Sequence, residues 1–300
     1  MSNFLAIITK PDNIPITLLL VGVVFFSWLA LSKGKRNDVR GTPIEATKDD
    51  KIQVWPYLVR VEFLATILVL AIMVIWSVSL NAPLEAMANK SLTPNPSKAP
   101  WYFLGLQELL VYFDPWIAGV VLPTIILIGL MAIPYIDINE KGNGYYTFKD
   151  RKFAILTFSF GFLVLWVSLI AVGTFLRGPG WNFFWPWEKW DPHYVAVLTN
   201  ADLSEYFGIP THLPDASVNP VASIFGAVCV IGYYTIIPIY WLKKRNTDIL
   251  KKLGLLRYSI VAFLFVTMIG VVIKIILRQT PLLFGLNPIK YVWVTPWFNV

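Results

Sequence analysis

Six long apolar runs, near residues 14 to 32, 59 to 81, 116 to 135, 153 to 176, 221 to 242 and 255 to 277, constrain what this chain can fold into. Crossing a hydrocarbon layer takes roughly 20 helical residues at about 1.5 Å each, and every run comes close to that length. With 56% of the 300 residues apolar and 14% charged, the runs exceed what a soluble core needs. The expected fold is an all-α membrane protein with about six transmembrane helices and a short interfacial helix in the outer loop between spans two and three. The first run has no basic region before it and no small-residue cleavage site after it, so it reads as a retained helix. Four regions follow: 1–58, an extra helix with a basic linker; 59–176, a core of three spans; 177–219, an aromatic-rich outer loop; and 220–300, two more helices and a tail.

Basic residues orient the spans. Lys33, Lys35, Arg36, Arg40, Lys48 and Lys51 follow the first span; Lys141, Lys149, Arg151 and Lys152 follow the third; Lys243, Lys244, Arg245, Lys251, Lys252 and Arg257 follow the fifth. These three connections hold sixteen of the 25 basic residues. The amino terminus, the segments 82–114 and 177–219 and the tail share seven. The positive-inside rule therefore places both termini on the outer face. The formal net charge of +7 is thus mainly a topology signal. No basic loop is interleaved with base-stacking aromatics, so a nucleic-acid role has no support.

Between spans two and three lies Lys98-Ala99-Pro100-Trp101-Tyr102-Phe103-Leu104-Gly105-Leu106-Gln107-Glu108-Leu109-Leu110. Pro94, Pro96 and Pro100 hold the approach extended, and Pro100 suits the first turn of a helix, where its missing N–H costs nothing. Gly105, Glu108 and Tyr112 share a face at helical spacing, and the carboxylate is the ionisable acid on it. The spans themselves hold little charge. Arg60 and Glu62 stand at the mouth of the second, nothing charged follows until Glu85, and in the sixth Lys274, near its outer end, is expected to snorkel. Pumps and charged-solute carriers keep ionisable groups at depth, so a carrier is disfavoured. Pro123 and Pro238 read as ordinary kinks.

Cys229, the single cysteine, excludes disulfide and Cys-rich metal frameworks and reads as a small apolar residue. His193 and His212 are the two histidines, and both fall in a loop. A bis-His haem needs opposed imidazoles and a zinc site three or four ligands, so no metal site is expected and both read as surface or structural residues. The loop 181–190 carries six aromatics in ten residues, an interfacial belt or a docking surface for an extrinsic partner. Over 177–219 five acidic residues face two basic ones, a balance suited to a basic partner.

Residues 59 to 176 resemble the carboxy-terminal part of cytochrome b, encoded separately as subunit IV in chloroplast and many bacterial quinol-oxidising complexes. The span order matches, and so does the outer-loop motif. The family has Pro-Glu-Trp-Tyr, usually followed by Phe and Leu; this chain has Ala99-Pro100-Trp101-Tyr102-Phe103-Leu104. Trp101 and Tyr102 match, whereas Pro100 stands at the place of the family's glutamate and Ala99 at that of its proline. That glutamate is thought to receive a proton from the quinol, and proline has no titratable group.

The resemblance implies a haem-free subunit of a respiratory or photosynthetic quinol:cytochrome c oxidoreductase in a bacterial cytoplasmic membrane. It would complete an outer-face quinol-oxidation site and release protons outside. A quinol pocket over Ala99, Pro100, Trp101, Tyr102, Phe103, Leu104, Gly105 and Leu106 follows, with a menaquinol or a ubiquinol as substrate. Glu108 would take over the missing glutamate's role as proton acceptor, with Tyr102 beside it; the bland alternative is an interfacial Glu108 facing water. The family's b haems, Rieske iron–sulfur cluster and c haem would sit on partners: a haem-bearing cytochrome b, a Rieske protein and a c-type cytochrome, in a complex the family makes dimeric. The first and sixth spans have no counterpart in the short chloroplast subunit and are expected to flank the core. The competing reading is a structural or docking subunit with a degenerate quinol pocket, and behind it a membrane carrier.

Overall fold

A computed structural model describes residues 2–41, 52–81, 87–91, 93–141, 146–191 and 199–300. Lys48, Lys51, Glu85 and His193 lie outside the described residues. The helices in chain order are α1 (Ser2–Thr9), α2 (Ile14–Arg40), α3 (Val59–Ser79), α4 (Trp101–Leu109), α5 (Leu122–Ile136), α6 (Lys152–Phe158), α7 (Ser168–Ala171), α8 (Leu203–Tyr206), α9 (Pro220–Tyr234), α10 (Ile236–Lys244) and α11 (Asp248–Leu283). Wide π-type turns at Ile117–Val121 lead into α5, and others at Ser159–Val167 and Val172–Leu176 continue α6 and α7 into one span. Six helical stretches are long and apolar enough to cross a membrane: Ile14–Arg40, Val54–Ser79, Ile117–Ile136, Lys152–Leu176, Pro220–Lys244 and Asp248–Pro281. The expected all-α membrane protein is what the chain forms, since among the described residues only isolated β-bridges occur.

The chain divides into two compact units. The first holds Met1–Ser97, Asn139–Phe160 and Phe175–Pro192. Here α2 runs eight residues beyond the apolar stretch because its polar end is anchored. Asp38 accepts hydrogen bonds from Thr147 Oγ1 (2.6 Å), Phe148 N (3.1 Å) and Lys149 N (2.8 Å), and Asn37 Nδ2 donates to the Tyr146 carbonyl at 2.9 Å. None of the α3 residues is buried, so its whole surface is open to lipid or a partner.

The second unit, Lys98–Ile138, Gly161–Thr174 and His193–Val300, carries the outer-loop helix. Its core is Leu109, Tyr112, Phe113, Ala118, Leu122 and Leu169, with Trp166 of the fourth span and Val271 and Ile275 of α11 packed on it. The fifth span breaks at Thr235, between α9 and α10, three residues before Pro238. The ring of Pro238 excludes an N–H from the ladder at Tyr234, which accounts for a break there. In α11, Gly254 takes φ +71°, so the basic turn before it is set off from the apolar rod that follows, as the run from 255 anticipates. Tyr233 Oη donates to the Val266 carbonyl at 2.8 Å and Tyr258 Oη to that of Ile237 at 2.7 Å, joining the fifth and sixth spans.

The tail folds back. Leu203 N donates to the Tyr291 carbonyl (2.8 Å) and Lys290 N to that of Ala201 (2.8 Å). Gly226 lets it approach α9, for a Cβ there would stand 2.6 Å from Trp293 Cα. This cap explains a departure from expectation at Lys274. Instead of snorkelling, Lys274 is 4% exposed, with Nζ 5.9 Å from the Phe113 ring centre and 5.6 Å from that of Tyr291, a residue of the tail that covers the carboxy-terminal end of α11.

Candidate functional site

Pro100 serves as N-cap of α4 rather than as a residue of its first turn, with φ −52° and ψ 146°, and Trp101 begins the helix. The approach is tied from two sides. Ala99 N donates to Gln107 Oε1 at 2.9 Å, and Lys98 Nζ donates to the Thr174 carbonyl at 2.8 Å. The helix therefore starts at a fixed place beside the fourth span.

Two faces of α4 divide the residues named from the sequence. Tyr102 and Phe103 are about half exposed, their ring centres 4.6 Å apart, and Trp101 meets Tyr102 edge-on at 5.7 Å. Pro100 is exposed on the same approach, while Ala99 and Leu106 are half-buried. Leu104 and Gly105 face the other way and are buried. A Cβ on Gly105 would stand 3.3 Å from Ile170 Cγ1, and one on Gly173 3.2 Å from the Leu104 carbonyl oxygen. Leu104 and Gly105 thus pack α4 against the fourth span, and the aromatic side chains form the open face.

Glu108 lies on the packed face, two turns and about 10 Å along the helix from Trp101. Its relative exposure is 0%, which decides between the two placements expected for it: it is enclosed, not facing water. Glu108 Oε1 accepts a hydrogen bond from Tyr112 Oη at 3.0 Å, and Tyr112 Oη accepts one from Gln279 Nε2 of α11 at 3.2 Å. Gly105, Glu108 and Tyr112 share a face, as their spacing predicts. Gln279 was not foreseeable from spacing, because it is 167 residues from Tyr112 in the chain.

Beside this line stand further polar groups of the same unit. Lys274 and Arg278 are both buried on α11, and Lys274 Nζ has no hydrogen-bond partner among the described residues. Asp202, the N-cap of α8, accepts from Tyr291 N at 3.1 Å and forms a capping box with Glu205. Burial pushes the Asp202 carboxyl above its ordinary value, a shift that the Thr211 hydrogen bond, the Tyr291 amide and nearby Lys274 partly offset. His212 is exposed and sits at an antiparallel bridge with Val218.

Six helices long and apolar enough to cross a membrane define an integral membrane protein, and α4 carries an enclosed carboxyl on its packed face and aromatic side chains on its open one. Residues 87–175, which hold α4, α5, α6 and α7, match the family model described as cytochrome b (C-terminal)/b6/petD. No curated protein matches the chain, and no solved structure does.

Proposed function

We propose that this chain is the haem-free subunit that completes the outer-face quinol-oxidation site of a bacterial quinol:cytochrome c oxidoreductase. The observation that carries the reading is Glu108, fully buried and hydrogen-bonded to Tyr112, on the helix opened by Trp101-Tyr102. Oxidising a quinol releases two electrons and two protons. In this reading Glu108 takes up a proton released by the quinol, and the Tyr112 hydroxyl, which donates to Glu108 Oε1, is the hydrogen-bonded group through which that proton reaches it. The open face of Tyr102 and Phe103 offers an apolar, largely preformed wall for the quinol ring.

Among the described residues, the histidine does not suit a b haem. His212 stands exposed in a loop, and opposed imidazoles from facing helices are what such a haem requires. In this reading the electrons pass to partner subunits: a haem-bearing cytochrome b, a Rieske iron–sulfur protein and a c-type cytochrome. The open circumference of α3 suits contact with the first of these.

A second reading, a docking subunit with a degenerate pocket, rests on the exposed, stacked Trp185 and Trp187, 5.2 Å apart, and on proline at the motif position. Purifying the native complex separates the two. The first predicts co-purified b haem in the reduced-minus-oxidised spectrum and turnover blocked by an outer-site quinol inhibitor. Haem with inhibitor-insensitive turnover supports docking, and no haem partner at all contradicts both.

A further inference from the structure

The sixth span lies outside the family-matched segment, yet it contributes to the Glu108 site. Gln279 reaches across from α11 to Tyr112, which is 5% exposed, and Tyr112 in turn reaches Glu108. The direction of these bonds carries the argument. A phenol has one proton. If the Tyr112 oxygen accepts from an N–H of Gln279, that proton is left to point at Glu108 Oε1. An acceptor in place of the Gln279 N–H would draw the Tyr112 proton toward α11 and away from the carboxylate. A donor here fixes the relay in the sense that delivers a proton to Glu108, and in a dry site such orientation is held without reorganisation.

We infer that Gln279 is a positioning residue: it sets the rotor of the Tyr112 hydroxyl so that Glu108 always faces a donor. The sixth span is then a working wall of the site and not a flanking helix. The inference rests on the reading of Glu108 as proton acceptor only for its effect on rate; the hydrogen-bond direction stands apart from it. Packing alone does not explain the choice of side chain, since Leu fills a similar volume without a half-buried amide to satisfy.

The test compares Gln279→Leu and Gln279→Glu in the assembled complex. The infrared carboxyl band of Glu108 is assigned by its loss in Glu108→Gln. Gln279→Glu, offering an acceptor, is expected to shift that band most and to lower kcat by about tenfold, the equivalent of one hydrogen bond, with the KM for quinol unchanged. Gln279→Leu, offering neither donor nor acceptor, shifts it less and lowers kcat by about threefold. A Glu108 band unmoved in both variants, in complexes that retain their haem spectrum, overturns the inference. A band that moves while Glu108→Gln leaves turnover intact upholds the positioning and removes the catalytic reading of Glu108 instead. Equal losses in the two variants together with a raised KM would mean a packing role and also overturn it.

Discussion

At the residue scale, Asp202 links the outer loop to the tail, since its carboxyl caps α8 and accepts the Tyr291 amide. Burial raises its proton affinity above the ordinary 3.8, so the folded cap holds a proton that the opened cap releases. The sign follows: between 3.8 and the raised value the closed cap binds more protons, and its stability falls as pH rises through that window. Hydrogen exchange at the Tyr291 amide should show an opening free energy that declines with rising pH in this interval. Asp202→Asn, which keeps a good N-cap, should flatten the decline. A decline unchanged in Asp202→Asn would assign it to another group. The same scale shows what one chain's sequence can disclose. Glu108 was found because its spacing with Gly105 and Tyr112 is local to one helix. Gln279 meets Tyr112 across 167 residues, and the burial of Lys274 depends on Phe113 and on a tail that folds back, which no periodicity encodes.

At the element scale, hydropathy located all six spans, because length and apolarity are properties of contiguous residues. It ended the first too early. The last turns of α2 are polar and helical because Asp38 and Asn37 bond the 146–149 segment and Gly34 lets it approach, its Cβ position lying 3.3 Å from Phe148 N. Those are tertiary contacts, invisible in the local pattern. Pro238 was legible as a kink, since it acts through its own backbone. The division of α4 into an aromatic open face and a packed face was half legible: the motif showed the aromatics, but the close approaches at Gly105 and Gly173 need α4 and the fourth span at once.

At the scale of the whole molecule, the distribution of lysine and arginine predicts that the carboxy-terminal tail and the connection after the fifth span lie on opposite sides of the membrane. In a Cys229→Ser background, Trp297→Cys should react with a membrane-impermeant maleimide in intact cells, and Arg245→Cys only after permeabilisation. Both positions are exposed, so reactivity reports sidedness. The reverse pattern would invert the topology and move the aromatic helix away from the proton-releasing face. In the proposed function, one carboxyl enclosed on the packed face of that helix stands in for the acid that Pro100 cannot supply. The most direct measurement is quinol-dependent reduction of the high-potential acceptor by the assembled complex carrying Glu108→Gln. The account predicts a loss of about a hundredfold in kcat, with quinone binding and haem content retained. Turnover equal to that of the unaltered complex at every pH would contradict it.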